Sequence, residues 1–282
     1  MFSRFLLLLS ALLVPAFAQE GPLDPSPPAG ITPEQIIQRF AAKEKEFKLA
    51  RENYIYRQSV KVQGLDGNTV TGEYQIIFDV TYDEKRNRKE NVLFAPQSTL
   101  ERSGLSMSKE DHEDIRNLLP FVLTSDELPQ YNVNYVGKQQ VDELGTYVFE
   151  VAPKLIEKGK RYFQGRIWVD DRDFQIVKTY GKPVPETRAS QKKKKNEQEN
   201  LFPNFTTYRE QIDGKYWFPT YSRADEVLHF ATGDQHIRII VKYTDYKTFE
   251  TGFQEKVTYQ GEAVKSKPAE DASKSPAQSK PQ

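Results

Sequence analysis

Three histidines, His112, His229 and His236, and the carboxylates Asp170, Asp171 and Asp173 are the residues whose types offer acid–base or metal chemistry. None of the histidines falls in a His-Glu-x-x-His spacing, and with no cysteine in the chain a zinc site would have to be assembled from distant residues. His112 stands in a run of acids, Glu110, Asp111, Glu113 and Asp114, which suits a solvated helix face. The three aspartates offer an acid–base pair or a calcium site. They also sit between two alternating runs, where Asp satisfies the backbone donors of a turn. No Gly-x-Ser-x-Gly elbow, phosphate-cradling glycine loop or cysteine nucleophile is present. The expectation is a protein that is not an enzyme and carries no cofactor or metal.

The elements around those aspartates are more informative. Tyr162 to Tyr180 reads as a β-hairpin, with Phe163, Ile167 and Val169 on one face of its first arm and Tyr162, Gln164, Arg166 and Trp168 on the other. Similar period-two runs recur at 54–62, 73–82, 89–95, 131–135, 145–151, 205–212, 216–230 and 235–249. The chain holds 15 Tyr and 17 Phe, mostly inside these runs, so ring packing dominates whatever the sheet buries. Short connections imply antiparallel neighbours.

Two helical segments interrupt the strands. Thr32-Pro33-Glu34-Gln35 supplies an N-cap, a proline at the first helical position and a capping-box partner ahead of Ile36, Ile37, Phe40, Ala41 and Phe47, predicting a helix to about residue 50. Ser108 begins a second, which Pro120 must end or bend, and another helical turn is expected near 125–128. The apolar run Leu118 to Leu123 requires this insertion to lie on one face of the sheet.

Residues 1–18 read as a signal peptide: Arg4, an apolar run from Phe5 to Val14, and Ala16-Phe17-Ala18 before Gln19. The alternative is a retained anchor, but the run is well short of the ~20 residues a spanning helix needs. Residues 19–31 read as a disordered linker, 32–258 as one domain with a lysine-rich loop at about 183–200, and 259–282 as a disordered tail. The expected location is the periplasm, with secretion as the alternative, and no transmembrane span is expected in the mature chain. Forty basic and forty acidic residues leave no net charge to attract nucleic acid. The run Lys192 to Lys195 is either a solvated loop or a contact for anionic headgroups.

The capped N-terminal helix, the antiparallel meander, the helical insertion at 108–128 and the hairpin Gly165-Arg166-Ile167-Trp168-Val169-Asp170 with Gln175-Ile176-Val177-Lys178 resemble the LolA-like outer-membrane lipoprotein-sorting proteins and their RseB-type relatives. The resemblance spans about Thr32 to Phe249. It implies a mainly β (α+β) fold: a single curved antiparallel sheet, an unclosed barrel, with an N-terminal helix and a short helical lid on its concave face. It also implies an apolar cavity for a lipid or lipoprotein acyl chain. The alternative is an envelope-stress sensor or interaction module with a protein partner. Tyr54, Tyr56, Tyr74, Ile76, Phe78, Leu118, Leu119, Phe121, Phe149, Phe163, Trp168 and Trp217 are the candidate cavity residues; each also suits ordinary core packing. Arg57 is the nearest match for a family arginine that hydrogen-bonds the lid.

Overall fold

The computed structural model describes residues 20–185, 203–230 and 233–249. Helix α1 runs Pro33–Arg51, and helix α2 runs Lys109–Asn117. The strands are β1 Tyr54–Asp66, β2 Thr69–Tyr82, β3 Arg88–Phe94, β4 Tyr131–Val141, β5 Leu144–Pro153, β6 Tyr162–Asp170, β7 Ile176–Val184, β8 Phe205–Ile212, β9 Tyr216–Phe230 and β10 Gly233–Thr248. They form one antiparallel sheet in the order β3-β2-β1-β10-β9-β8-β7-β6-β5-β4. Strand β10 returns to pair with β1, so the first hairpin is wound onto the last. The edges β3 and β4 do not meet, and the sheet is an unclosed barrel with two α-helices among the described residues, as the resemblance implies.

Both helices begin where their caps place them. Thr32 Oγ1 accepts from Gln35 N at 3.3 Å while Gln35 Oε1 accepts from Thr32 N at 3.0 Å; Ser108 and Asp111 repeat the arrangement. Helix α1 buries Ile36, Phe40, Ala41, Glu44 and Phe47 along one stripe. Ile36, Phe40 and Ala41 of that stripe, with Phe121 and Leu123 from the segment after α2, pack with Tyr56, Val60, Val62, Phe78, Val80, Phe149, Phe163, Ile167 and Val169 of the concave face, and Phe47 packs with Tyr54 and Phe218.

Several boundaries differ from expectation. The helical turn expected at 125–128 lies at Leu128–Gln130, and an additional 3-10 turn occupies Leu100–Ser103. The second turn rests on Gly64 and Gly72, which face each other across β1 and β2. A Cβ on Gly72 would lie 2.6 Å from the Thr99 carbonyl, and one on Gly64 would collide with the Ser103 side chain. The glycine pair is therefore the seat for this segment. Residues 20–31, expected as a free linker, are laid partly along β4: Gly21 N donates to Gln140 O at 2.9 Å, Asp24 N to Lys138 O at 2.8 Å, and Lys138 N to Asp24 O at 2.7 Å. The β4 edge offered unpaired backbone groups that this segment satisfies. Strand β7 extends to Val184, taking the start of the expected lysine-rich loop. Residues 1–18, expected as a signal peptide, Lys192 to Lys195 and the expected tail at 259–282 lie outside the described residues.

Candidate functional site

The concave face is filled under α1 and incompletely filled under α2. Beneath α1, Phe40 and Phe149 meet at 5.6 Å, and Phe47, Tyr54 and Tyr246 surround Phe218 at 5.1, 4.6 and 4.7 Å. Phe121 stacks on Phe163 at 4.3 Å, so the apolar run after α2 plugs the centre of the sheet. Its backbone is held from below. Arg209 on β8 donates Nη2 to the Phe121 carbonyl and Nη1 to both carboxylate oxygens of Glu44 on α1, at 3.0 and 3.1 Å. Both side chains are fully buried, and Ile176 N adds a bond to Glu44 at 3.3 Å. Thr207 Oγ1 donates to the Leu119 carbonyl at 2.7 Å.

Beneath α2 an apolar cavity of about 60 Å³ remains, lined by Val62, Leu100, Leu105, Ile115, Leu119, Phe205, Leu228, Ile237 and Ile239, with Asp111 and Asp114 at its rim. Its roof is short. Ile115 is the one apolar residue that α2 buries. The helix is held mainly by two ionic latches. Arg161, just before β6, donates Nε to Asp114 Oδ1 at 3.0 Å and Nη2 to Oδ2 at 2.5 Å. Arg116 donates to both oxygens of Glu90 on β3 at 2.8 Å. Burial pushes the Asp114 carboxyl above the ordinary aspartate range, and the Arg161 bonds draw it down.

Of the twelve candidate cavity residues, Leu119 alone lines this space. Tyr54, Tyr56, Phe78, Leu118, Phe121, Phe149 and Phe163 are buried within the core, packed by their neighbours. Tyr74 and Ile76 are half-buried at the α2 side, Tyr74 with its ring 5.6 Å from His112. Trp168 and Trp217 join a separate cluster with Val141, Val148 and Val177, on the opposite side of the sheet from Ile167 and Val169. Their placement in the concave set is corrected: strand alternation turns Trp168 outward. Arg57 is corrected too. It faces outward between Tyr56 and Gln58, donates to Asp79 on β2 at 2.9 Å and lies 3.5 Å from Asp245 on β10. The arginines from the sheet side that meet the inserted segment are Arg209, at the Phe121 carbonyl, and Arg161, at Asp114.

Sequence reasoning missed Leu100, Leu105, Leu228, Ile237 and Ile239. Ile237 and Ile239 alternate along β10, and a count of that strand's inner positions would have found them. Leu100 opens the short 3-10 turn and Leu105 follows it, in a stretch too short to carry a period that would betray them.

The chemistry-bearing residues are engaged structurally. Asp170 Oδ1 accepts from Arg172 N at 2.8 Å and Asp173 N at 2.9 Å, and Asp173 accepts from Trp217 Nε1 at 2.7 Å. His229 pairs with Asp234 at 2.7 Å and His236 with Asp225 at 2.6 Å. Among the described residues no group of three or more His, Asp or Glu stands as a metal site, and no helix is long and apolar enough to cross a membrane.

No protein-family model matches the chain, and no curated protein matches it. Among solved structures it is similar to a LolA superfamily protein from Nitrosomonas europaea, at 13% identity and a TM-score of 0.33, covering 78% of this chain and 95% of that one. A DUF1329 family protein from Desulfovibrio piger gives 15% identity and a TM-score of 0.35, over 74% and 90% of the two chains. The Pseudomonas aeruginosa MucA/MucB complex gives 9% identity and a TM-score of 0.20, over 74% and 93%. These are likenesses of general arrangement, and no residue role is taken from them.

Proposed function

We propose that this chain is a non-enzymatic periplasmic binding protein that takes an acyl chain of a lipid or lipoprotein between the concave face and α2. The observation that carries the reading is the unequal filling of that face: a ring-packed floor under α1, and under α2 an apolar cavity roofed by a polar helix on two ionic latches. At about 60 Å³ the closed cavity is smaller than the ~150 Å³ void that admits benzene, so an acyl chain enters only when α2 lifts. Each methylene then buried against Val62, Ile115, Ile237 and Ile239 contributes ~0.8 kcal/mol, so about four to six offset the ~3–5 kcal/mol of opening the buried Arg161–Asp114 pair.

Titration with a dansyl-labelled undecanoic acid, together with native mass spectrometry of gently purified protein, tests this. Saturable uptake is expected, several-fold tighter in Arg161→Ala, which loosens the roof, and abolished in Leu119→Trp, which fills the cavity. Absence of uptake by both wild type and Arg161→Ala, or uptake indifferent to Leu119→Trp, would sink the reading.

A second reading has its own observation. Among the described residues the β3 edge carries no pairing strand, and its Val92, Leu93 and Phe94 are 53%, 40% and 48% exposed. An envelope protein partner adding a strand there would satisfy the edge and cover these side chains. Retention of a stoichiometric partner by wild type, lost in Leu93→Lys, with no lipid bound, would favour it over the carrier.

A further inference from the structure

The outer face of the sheet holds a second, larger recess. A groove of about 800 Å³ crosses β5 to β9, and its lining includes Arg166, Lys178, Tyr180, Tyr208 and Arg223. Register aligns these side chains. Glu150 faces Arg166, Arg166 faces Tyr180, Tyr180 faces Thr206 and Thr206 faces Arg223 across successive strands, a row of roughly 19 Å at ~4.8 Å per strand. Beside it runs a second row, Trp168, Lys178, Tyr208 and Tyr221.

Lys178 separates this groove from an ordinary solvated face. Its side chain is only 5% exposed, with Nζ 4.2 Å from the Trp168 ring centre and 5.7 Å from that of Tyr208. A lysine buried to this degree needs an anionic partner. Its partner is the carboxylate of Glu20, which comes from the segment laid along β4 and is itself 40% exposed. Few backbone bonds hold that segment on the sheet edge. Glu20 thus delivers a replaceable carboxylate to a fixed ammonium group. Next to that point Tyr180 is 42% exposed and Tyr208 half-buried, and rings on a rigid sheet suit the apolar faces of sugar rings. Arg223 stands at one side for a further acidic group, Arg166 at the other is paired with the half-exposed Glu150 at 3.0 Å, and Gln164 and Thr206 offer neutral hydrogen-bonding partners for hydroxyls.

We infer that this outer groove binds an acidic carbohydrate, with Lys178 taking a carboxylate in place of Glu20 and Tyr180 and Tyr208 receiving the sugar faces. The inference is independent of the cavity beneath α2, which lies on the other side of the sheet.

The chain's two tryptophans make the test direct, because Trp217→Phe leaves Trp168, under Lys178, as the sole reporter. In the full chain carrying Trp217→Phe, tetragalacturonic acid should change Trp168 emission saturably and give a matching heat of binding. Maltotetraose, which lacks carboxylates, and tetraglutamate, which lacks sugar rings, should bind at least tenfold more weakly. Glu20→Gln removes the internal competitor and should tighten tetragalacturonate binding several-fold. Lys178→Gln should weaken it at least tenfold, and Tyr180→Ala several-fold. Should Lys178→Gln fail to fold by near-ultraviolet circular dichroism, the other two variants decide. No binding in the Glu20→Gln protein overturns the inference, as does equal binding of maltotetraose. Tetraglutamate binding as tightly as the sugar reassigns the groove to acidic peptides.

Discussion

The two halves of the concave face are built from similar residues and packed to different ends. Under α1, aromatic rings interlock and a buried ion pair, Glu44 with Arg209, ties the helix to β8 and to the inserted segment. Under α2, aliphatic side chains meet incompletely, and of the two ion pairs that close the site Arg161–Asp114 is largely buried while Arg116–Glu90 lies at the solvent-exposed rim. An ion pair inside the core resists opening because separating it strands charge away from water. The Arg116–Glu90 pair, partly open to water, can exchange its partner for solvent at small cost. The first half is a scaffold; the second is suited to move.

The largest test of that contrast is Arg209→Ala or Glu44→Ala, each of which leaves one buried charge unpaired and should cost ~3–5 kcal/mol in urea unfolding. Replacing both by apolar residues, Glu44→Leu with Arg209→Met, should recover part of the loss. If the single changes cost no more than the rim variant Arg116→Ala, the distinction between scaffold and mobile roof fails.

Enlarging a side chain sharpens the comparison further. Ala41→Leu on α1 meets a filled interface and should destabilise by ~1–3 kcal/mol, whereas Leu119→Phe has a void to occupy and should be near neutral. Equal penalties in chemical denaturation would mean the two halves are equally full.

Alkaline titration probes the ring-packed region. Burial pushes the Tyr56 and Tyr131 hydroxyls up to about 12, and Tyr243 is raised further by the same cause. The fold thus favours their neutral forms. The stability they contribute is complete below the ordinary tyrosine value near 10 and is lost as pH rises through about 12. Between those values each withheld ionisation should remove ~1.4 kcal/mol per pH unit. Ultraviolet difference spectra should show the exposed tyrosines ionising first and the buried ones only with unfolding. A single transition near 10 would contradict this packing.

The smallest effect belongs to Arg57, whose ion pair with Asp79 is partly exposed on the outer face. Arg57→Ala should change stability by less than ~1 kcal/mol and leave fatty-acid uptake unchanged. Altered uptake would return Arg57 to the site.

Much of the architecture was legible because local patterns encode it. Period-two runs located the strands, with Tyr162–Asp170, Phe205–Ile212 and Tyr216–Phe230 recovered to the residue. The capping boxes at Thr32 and Ser108 located both helix starts. The site was less legible. Large aromatics such as Phe149 and Phe163 were candidates for a cavity wall because they are apolar and inward-facing, but large rings fill space, and the void remains where Leu100, Leu105 and Ile237 fall short of one another. Trp168 illustrates the same limit: its aromatic character suggested a wall, while its position in the alternation turned it outward to lie beneath Lys178.

Sequence alone determined where this chain extends, where it coils and which side chains share a face, since those depend on neighbours two to four residues apart. Which half of the concave face is full, which arginines grip the inserted segment and where Glu20 comes to rest were decided only by the tertiary structure. Glu44 and Arg209 are 165 residues apart, and Glu20 and Lys178 are 158 apart. No local period carries information over such separations; the closing of the sheet's turns brings them within bonding distance.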